Sequence, residues 1–356
     1  MNKFLIINPF GIGDVLFTTP LVKAIRHYYP HGLIGYWCNE RVKDVLQTNP
    51  RIDTIFSLSR GDLKKIFQHS TSEGISRTFG LWSALRKAHF DVAFDFSLDH
   101  RYALVAMLAG IRRRIGYDYR GRGRFLTDRI LLEGYAQRHV VEYYADLLQF
   151  VKLKPLNLAM ELFVTDAEDQ RALGLLTHLG ARKNVMRVGI VPGAGASWGK
   201  EAALKHWPAI KFKHLADMVM RELKADVVLL GDEGERPLAD SIVGMMQQKP
   251  IDLVGKTDVK ELAAVIKNLD VLVTNDGGPL HMAVALGIKT VSLFGPVDEQ
   301  AYGPFPASPL HRVAHAAVSC RPCYKQFRMP LCERDRECLK SINEQDVFIL
   351  LKDLLG

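Results

Sequence analysis

Short apolar runs alternate with stretches of helical period along the whole chain. Lys3-Phe-Leu-Ile-Ile7 reads as a strand, and apolar residues from Val15 to Tyr29 recur at the spacing of one helix face. Residues 33–38, 91–96 and 114–117 read as further strands in the first half. In the second half, residues 187–191, 226–230, 270–274 and 290–294 are short, continuous and β-branched, as parallel strands buried on both faces are. Helical patterns fill the intervals, for example at 206–224 and 259–268. This βαβα order predicts open parallel sheets covered by helices on both sides.

The pattern then restarts. A helical stretch at 139–151 leads into a less regular segment with Lys154-Pro155, a polar helix at 166–179 and a new strand running into Pro192-Gly193. A chain of 356 residues suits two domains of ordinary size. The boundary falls near 152–165, giving domains over 1–155 and 156–340. A last helix, 341–356, is expected to pack back on the first domain.

Composition changes this picture little. Hydrophobic residues make up 48% and charged residues 24%, the profile of a soluble globular protein. The apolar start is too short for a signal peptide, and no run has the length of a membrane span, so a cytoplasmic protein is expected. Charge is more informative. Of the net +8, residues 1–150 carry +7, with 21 Lys+Arg against 14 Asp+Glu. A basic first half implies an anionic partner: acidic lipid, phosphorylated sugar or nucleic acid.

The chemistry sits where strands end. After the first strand comes Pro9-Phe10-Gly11-Ile12-Gly13-Asp14. A dinucleotide loop needs Gly-x-Gly-x-x-Gly, but Leu16 replaces the third glycine and Asp14 would repel a phosphate at the helix start. This loop is better suited to supply a base. Anion-binding signals lie in the second half. Pro192-Gly193-Ala194-Gly195 follows a buried strand, and Lys205 stands just before a helix. Asp276-Gly277-Gly278-Pro279 opens a helix that carries His281 in its first turn, a pre-formed anion site. Asp232 and Glu233 end a strand where carboxylates can accept ribose hydroxyls. No Asp-x-Asp occurs, so a metal-bound diphosphate is not suggested.

Two further clusters stand out. Arg112, Arg113, Arg114, Arg120, Arg122, Arg124 and Arg129 crowd one stretch with glycines and tyrosines, which favours an anion site. Cys320, Cys323, Cys332 and Cys338 admit a structural zinc, although the second pair is spaced more widely than in a ribbon or knuckle. Cys38, inside a strand, is expected to be simply buried.

These motifs together resemble glycosyltransferase family 9, the bacterial heptosyltransferases. The resemblance is carried by Gly11-Ile-Gly13-Asp14-Val-Leu-Phe-Thr-Thr-Pro20, by Pro192-Gly193-Ala194 with Lys205-His-Trp-Pro208, and by Asn275–His281 running on to Leu293-Phe-Gly295-Pro296. The stretch from Gly110 to Arg129 is similar too. The chain departs from the family pattern at Asn8, Pro9 and Phe10, where many members carry Lys and Ser, and at Gly277, where Thr or Ser is common.

The resemblance implies the GT-B fold, two doubly wound Rossmann-like α/β domains facing across a cleft. It implies inverting transfer of heptose from ADP-heptose to the inner core of lipopolysaccharide, with no metal or other cofactor. Asp14 would be the general base. The donor would be held by Gly193, Ala194, Lys205, Asp232, Glu233, Asp276, Gly277, Gly278 and His281. Gly13, Arg120, Arg122 and Arg124 would serve an anionic, lipid-linked acceptor at the inner face of the cytoplasmic membrane. Rival readings are another GT-B nucleotide-sugar transferase or an epimerase, and an NAD-dependent oxidoreductase. The missing third glycine argues against the last, and the paired nucleotide loops argue against a nucleic-acid binder.

Overall fold

The computed structural model describes residues 2–356, which form two compact units divided between Met160 and Glu161. The first holds six parallel strands: β1 (Lys3–Ile7), β2 (Leu33–Cys38), β3 (Thr54–Ser57), β4 (Val92–Asp95), β5 (Arg113–Tyr119) and β6 (Asp128–Leu132). Their order is β3-β2-β1-β4-β5-β6. The second unit holds β7 (Arg187–Val191), β8 (Asp226–Leu229), β9 (Ile251–Asp252), β10 (Val271–Asn275), β11 (Lys289–Phe294) and β12 (His311–His315). These are ordered β12-β11-β10-β7-β8-β9, again all parallel. Numbered within its own unit, each sheet follows the same doubly wound order, the Rossmann-like architecture of the GT-B class.

Burial explains the central strands. Phe4, Leu5, Ile6 and Ile7 of β1 are fully buried, as are Val271, Leu272 and Val273 of β10. A strand sandwiched between helix layers must be apolar on both faces. The edge strands β3, β6, β9 and β12 escape a pattern search because they are short, half-exposed and mix polar with apolar residues.

The first helical run is broken into Ile12–Phe17 and Thr19–Tyr28. Pro20 has no N–H to give the Leu16 carbonyl. The Thr19 hydroxyl donates to that carbonyl instead, at 2.7 Å, so the Leu16 carbonyl keeps a partner where the helix breaks.

The last helix, Glu344–Leu355, belongs to the second unit. Val347, Phe348, Leu351 and Leu354 are buried in the core of the second unit, with Trp207, Leu215 and Val219. Lys211 donates to the Ile342 carbonyl at 2.8 Å and pairs with Glu344 at 3.2 Å, which pins the start of the helix to this unit.

Candidate functional site

A doubly wound sheet opens a crevice at the carboxyl ends of its two central strands, where the chain direction of successive crossovers reverses. Those strands are β1 and β4 in the first unit, β7 and β10 in the second. Three of the expected site loops leave β1, β7 and β10, and the other two follow β5 and β8.

In the first unit, β1 runs into Asn8, whose buried side chain organises the following loop. Its Nδ2 donates to the Asp14 carbonyl at 2.9 Å, and its Oδ1 accepts from Phe10 N–H at 3.2 Å. Asp14 is the third residue of the Ile12–Phe17 helix, and its carboxylate accepts from Gly11 N–H at 3.2 Å. It therefore caps the helix from within the first turn while remaining partly exposed, next to Gly13. The sequence reading missed Asp95, which ends β4 level with Ile7. Burial pushes its carboxyl up to about 6, against a Ser97 N–H that donates to Oδ1 at 2.8 Å. A carboxylate closing an apolar strand was the available signal.

The arginine stretch divides in two. Arg113 makes a two-pronged pair with Asp128 at 3.0 Å, Arg114 donates to the Phe125 carbonyl at 2.7 Å, and Arg129 lies 3.6 Å from Asp118. These three brace the β5–β6 connection. Arg120, Arg122 and Arg124 are exposed in the loop that leaves β5 at the same sheet edge as Asp14. Arg120 and Arg122 lie over the Tyr119 ring, at 4.9 and 5.7 Å, and Arg124 lies over Phe125 at 4.9 Å. Stacking of this kind orients a guanidinium and leaves its edges for an anion.

In the second unit the two central loops are tied together. Asn275, at the end of β10, is fully buried and donates from Nδ2 to the Pro192 and Gly193 carbonyls at 2.6 and 3.1 Å. A Cβ on Gly277 would come within 3.2 Å of the Ala194 carbonyl, so this loop passes close to its neighbour partly because Gly277 lacks a side chain.

Lys205 is not a surface lysine. It is 2% exposed and pairs with Asp276 at 2.6 Å. Its position follows from Trp207, two residues on, whose ring is fully buried against Phe212. The Trp207 N–H donates to Asn275 Oδ1 at 3.2 Å, drawing this segment onto the end of β10. His281 is buried close by, and burial, aided by the Lys205 charge, lowers its imidazole to about 3. It is neutral at physiological pH, a hydrogen-bonding group rather than a cation. Gly278 and Pro279 begin the Gly278–Ala285 helix, so its first N–H groups lie beside this pair.

Of the acidic residues after β8, Asp232 and Glu233 are exposed. Glu235, which the sequence reading passed over, is partly buried. Its carboxylate accepts from Gly195 N–H at 3.0 Å and from Asp232 N–H at 3.1 Å. Burial raises its carboxyl above the usual range. A Cβ on Gly193 would collide with the Glu235 carboxylate at 1.6 Å, so Gly193 is what admits this brace.

Cys320, Cys323, Cys332 and Cys338 line one small cavity with Arg321, Arg334 and Arg336. Burial, with the neighbouring thiols, pushes Cys338 up to about 11. Among the described residues no three His, Cys, Asp or Glu side chains are gathered as metal ligands. Cys38 is buried in β2, as expected. No helix among the described residues is long and apolar enough to cross a membrane.

Residues 78–332 match the sequence profile of glycosyltransferase family 9 (heptosyltransferase). The chain is 25% identical over 300 residues to lipopolysaccharide heptosyltransferase 3 of Escherichia coli, covering 82% of this chain and 83% of that one. In fold it is similar to a glycosyl transferase family 9 protein of Veillonella parvula, with a TM-score of 0.83 at 24% identity over 99% and 97% of the two chains. It is also similar to the E. coli ADP-heptose lps heptosyltransferase II, with a TM-score of 0.77 at 23% identity over 99% and 98%. The profile spans most of the chain and includes the Gly193, Lys205 and Asp276–His281 segments, so the protein belongs to glycosyltransferase family 9 and is a glycosyltransferase.

Proposed function

We propose that this enzyme transfers heptose from ADP-heptose to the inner core of lipopolysaccharide, with inversion at the anomeric carbon. The observation that carries the reading is the buried group formed by Lys205, Asp276 and His281 at the start of the Gly278–Ala285 helix. A glycosyl transfer from a nucleotide diphosphate needs a cation and oriented N–H groups where the leaving diphosphate gathers charge. Lys205 supplies the cation, Gly277 and Gly278 supply backbone N–H groups, and neutral His281 supplies a hydrogen bond. Gly193 and Ala194 form the second wall, and Asp232 and Glu233 accept from ribose hydroxyls.

Asp14 takes the proton from the acceptor hydroxyl. That oxygen bonds to the anomeric carbon as the bond to the diphosphate breaks, so ADP leaves in a single displacement that inverts the centre. No step in this scheme requires a metal. Gly13 and the stacked Arg120, Arg122 and Arg124 bind the phosphate or carboxylate groups of a lipid-linked acceptor. The E. coli relatives named above support the sugar and the acceptor class.

The test is transfer of heptose from ADP-heptose to a lipid A–core acceptor, by wild type and by Asp14→Asn. Asn keeps the side-chain shape and an acceptor oxygen for the Gly11 cap, but it is no base. The expected kcat falls by roughly 10²–10⁴-fold, the usual contribution of a positioned base, with ADP-heptose affinity unchanged. Near wild-type turnover would reduce Asp14 to a capping residue. Preference for a UDP-sugar would replace the donor assignment with another nucleotide-sugar transferase.

A further inference from the structure

In the first unit, the helices Arg60–His69 and Thr71–Ala88 form a hairpin that displays an apolar stripe. Ile75 is 60% exposed, Phe79 63% and Phe67 42%. Ile75, Phe79, Trp82 and Arg86 recur at i, i+4, i+7 and i+11, so they run down one line of the long helix. The Phe79 and Trp82 rings touch, with centroids 5.3 Å apart, and the Arg86 guanidinium lies 5.5 Å over Trp82. The helix is well anchored, because Leu85 is fully buried. Gly74 lets the Phe67 ring close on it, since a Cβ there would lie 2.6 Å from that ring. The stripe is therefore a built surface beside the buried face.

Its charge identifies what covers it. Arg60, Lys64, Lys65, Arg77, Arg86 and Lys87 lie on the hairpin against Asp62 and Glu73, and Asp99 from outside it pairs with Arg60 at 3.7 Å, which leaves the cations in excess. Asp62 is engaged in capping, accepting from the Ser59 and Glu40 N–H groups at 2.7 and 3.2 Å. A second copy of the chain would bring like charge against like. Interfaces between proteins also disfavour lysine in their cores. Exposed Phe and Ile beside Lys and Arg suit the headgroup region of an acidic bilayer, where rings enter the acyl boundary and cations meet lipid phosphates.

We propose that exposed Ile75 and Phe79, backed by the half-buried Trp82, and the flanking lysines and arginines dock the enzyme on an anionic phospholipid membrane. The idea rests on the reading of the acceptor as lipid-linked, and it assigns the contact to a surface separate from Asp14 and the arginine loop.

The test is co-sedimentation with vesicles of phosphatidylethanolamine and phosphatidylglycerol, against pure phosphatidylcholine. Wild type should partition onto the anionic vesicles and not the neutral ones, and about 0.5 M salt should release most of it. Ile75→Ser with Phe79→Ser should lower the partition coefficient roughly tenfold or more, given the transfer value of two large apolar side chains. Both residues are exposed, and circular dichroism checks that the double variant folds. Lys64→Glu with Lys65→Glu should weaken binding without touching the stripe. Equal binding to neutral vesicles, or wild-type partition of the Ser variant, overturns the proposal. So does a dimer in light scattering that the Ser variant abolishes. Turnover on a delipidated, water-soluble acceptor should be unchanged in the Ser variant. Vesicle binding without any heptose transfer would leave the docking surface standing and remove the catalytic reading, and the reverse result would do the opposite.

Discussion

Replacing Lys205 by Met separates its buried ion pair with Asp276 from its proposed part in donor binding. Met keeps the length and apolar stem but deletes the charge. In the wild type, the Lys205–Asp276 pair is 2.6 Å long with side chains 2% and 8% exposed. Water cannot solvate the Asp276 carboxylate once its partner is gone. Breaking a buried pair from one side costs about 3–5 kcal/mol. In a unit of this size each kcal/mol shifts the midpoint by roughly 2–4 °C, so Lys205→Met should melt roughly 6–20 °C lower. Adding Asp276→Asn removes the stranded charge and should recover at least half of that loss. Donor binding should not recover with it. A hydrogen bond to a charged group contributes about 1.5–3 kcal/mol, so ADP affinity should stay roughly ten- to a hundredfold down in the double variant. Calorimetric melting and titration with ADP read the two effects independently. A Lys205→Met midpoint within about 2 °C of wild type would refute the burial argument. Wild-type ADP affinity in the folded double variant would remove Lys205 from the donor site.

Three other outcomes are expected. Replacing Arg120, Arg122 and Arg124 together by Ala should raise the acceptor KM and leave ADP-heptose affinity alone; unchanged acceptor kinetics would make the stacked arginines structural. Glu235→Ala should weaken ADP binding by about 1–2 kcal/mol through loss of the Gly195 brace, while Glu235→Gln, which keeps an acceptor oxygen, should retain most of it by titration calorimetry. Asp95 has its folded-state carboxyl raised to about 6, so its neutral form is the one that the fold favours. The resulting stability is present at low pH and is lost as pH rises through about 6. Denaturant melts of wild type should therefore show Asp95 contributing roughly 1 kcal/mol more at pH 5 than at pH 7, and Asp95→Asn should abolish that difference.

Much of the fold was legible in the sequence, because the central strands obey a strong local rule. Residues 33–38 and 187–191 are strands over the predicted spans, since a chain buried on both faces must be continuously apolar. The site loops were legible for a related reason. Strand, glycine turn and helix start form one short segment, so Asp14, Gly193, Gly277, Gly278 and His281 could be picked out before any contact was known. Helix breaks were less visible: Pro20 divides the first run, and the compensating Thr19 hydroxyl bond depends on the folded geometry. What tertiary structure alone decided are the long-range pairings. Lys205 and Asp276 lie far apart in the chain, and only the burial of Trp207 against the end of β10 makes them a buried ion pair. Nothing local marks Glu235; the sheet order sets β8 beside β7 and carries its carboxylate to Gly195. The last helix could have covered any apolar surface by its own pattern. Its place on the second unit is fixed by complementary apolar faces and the Lys211 bond to Ile342, relations between distant segments that no local periodicity encodes.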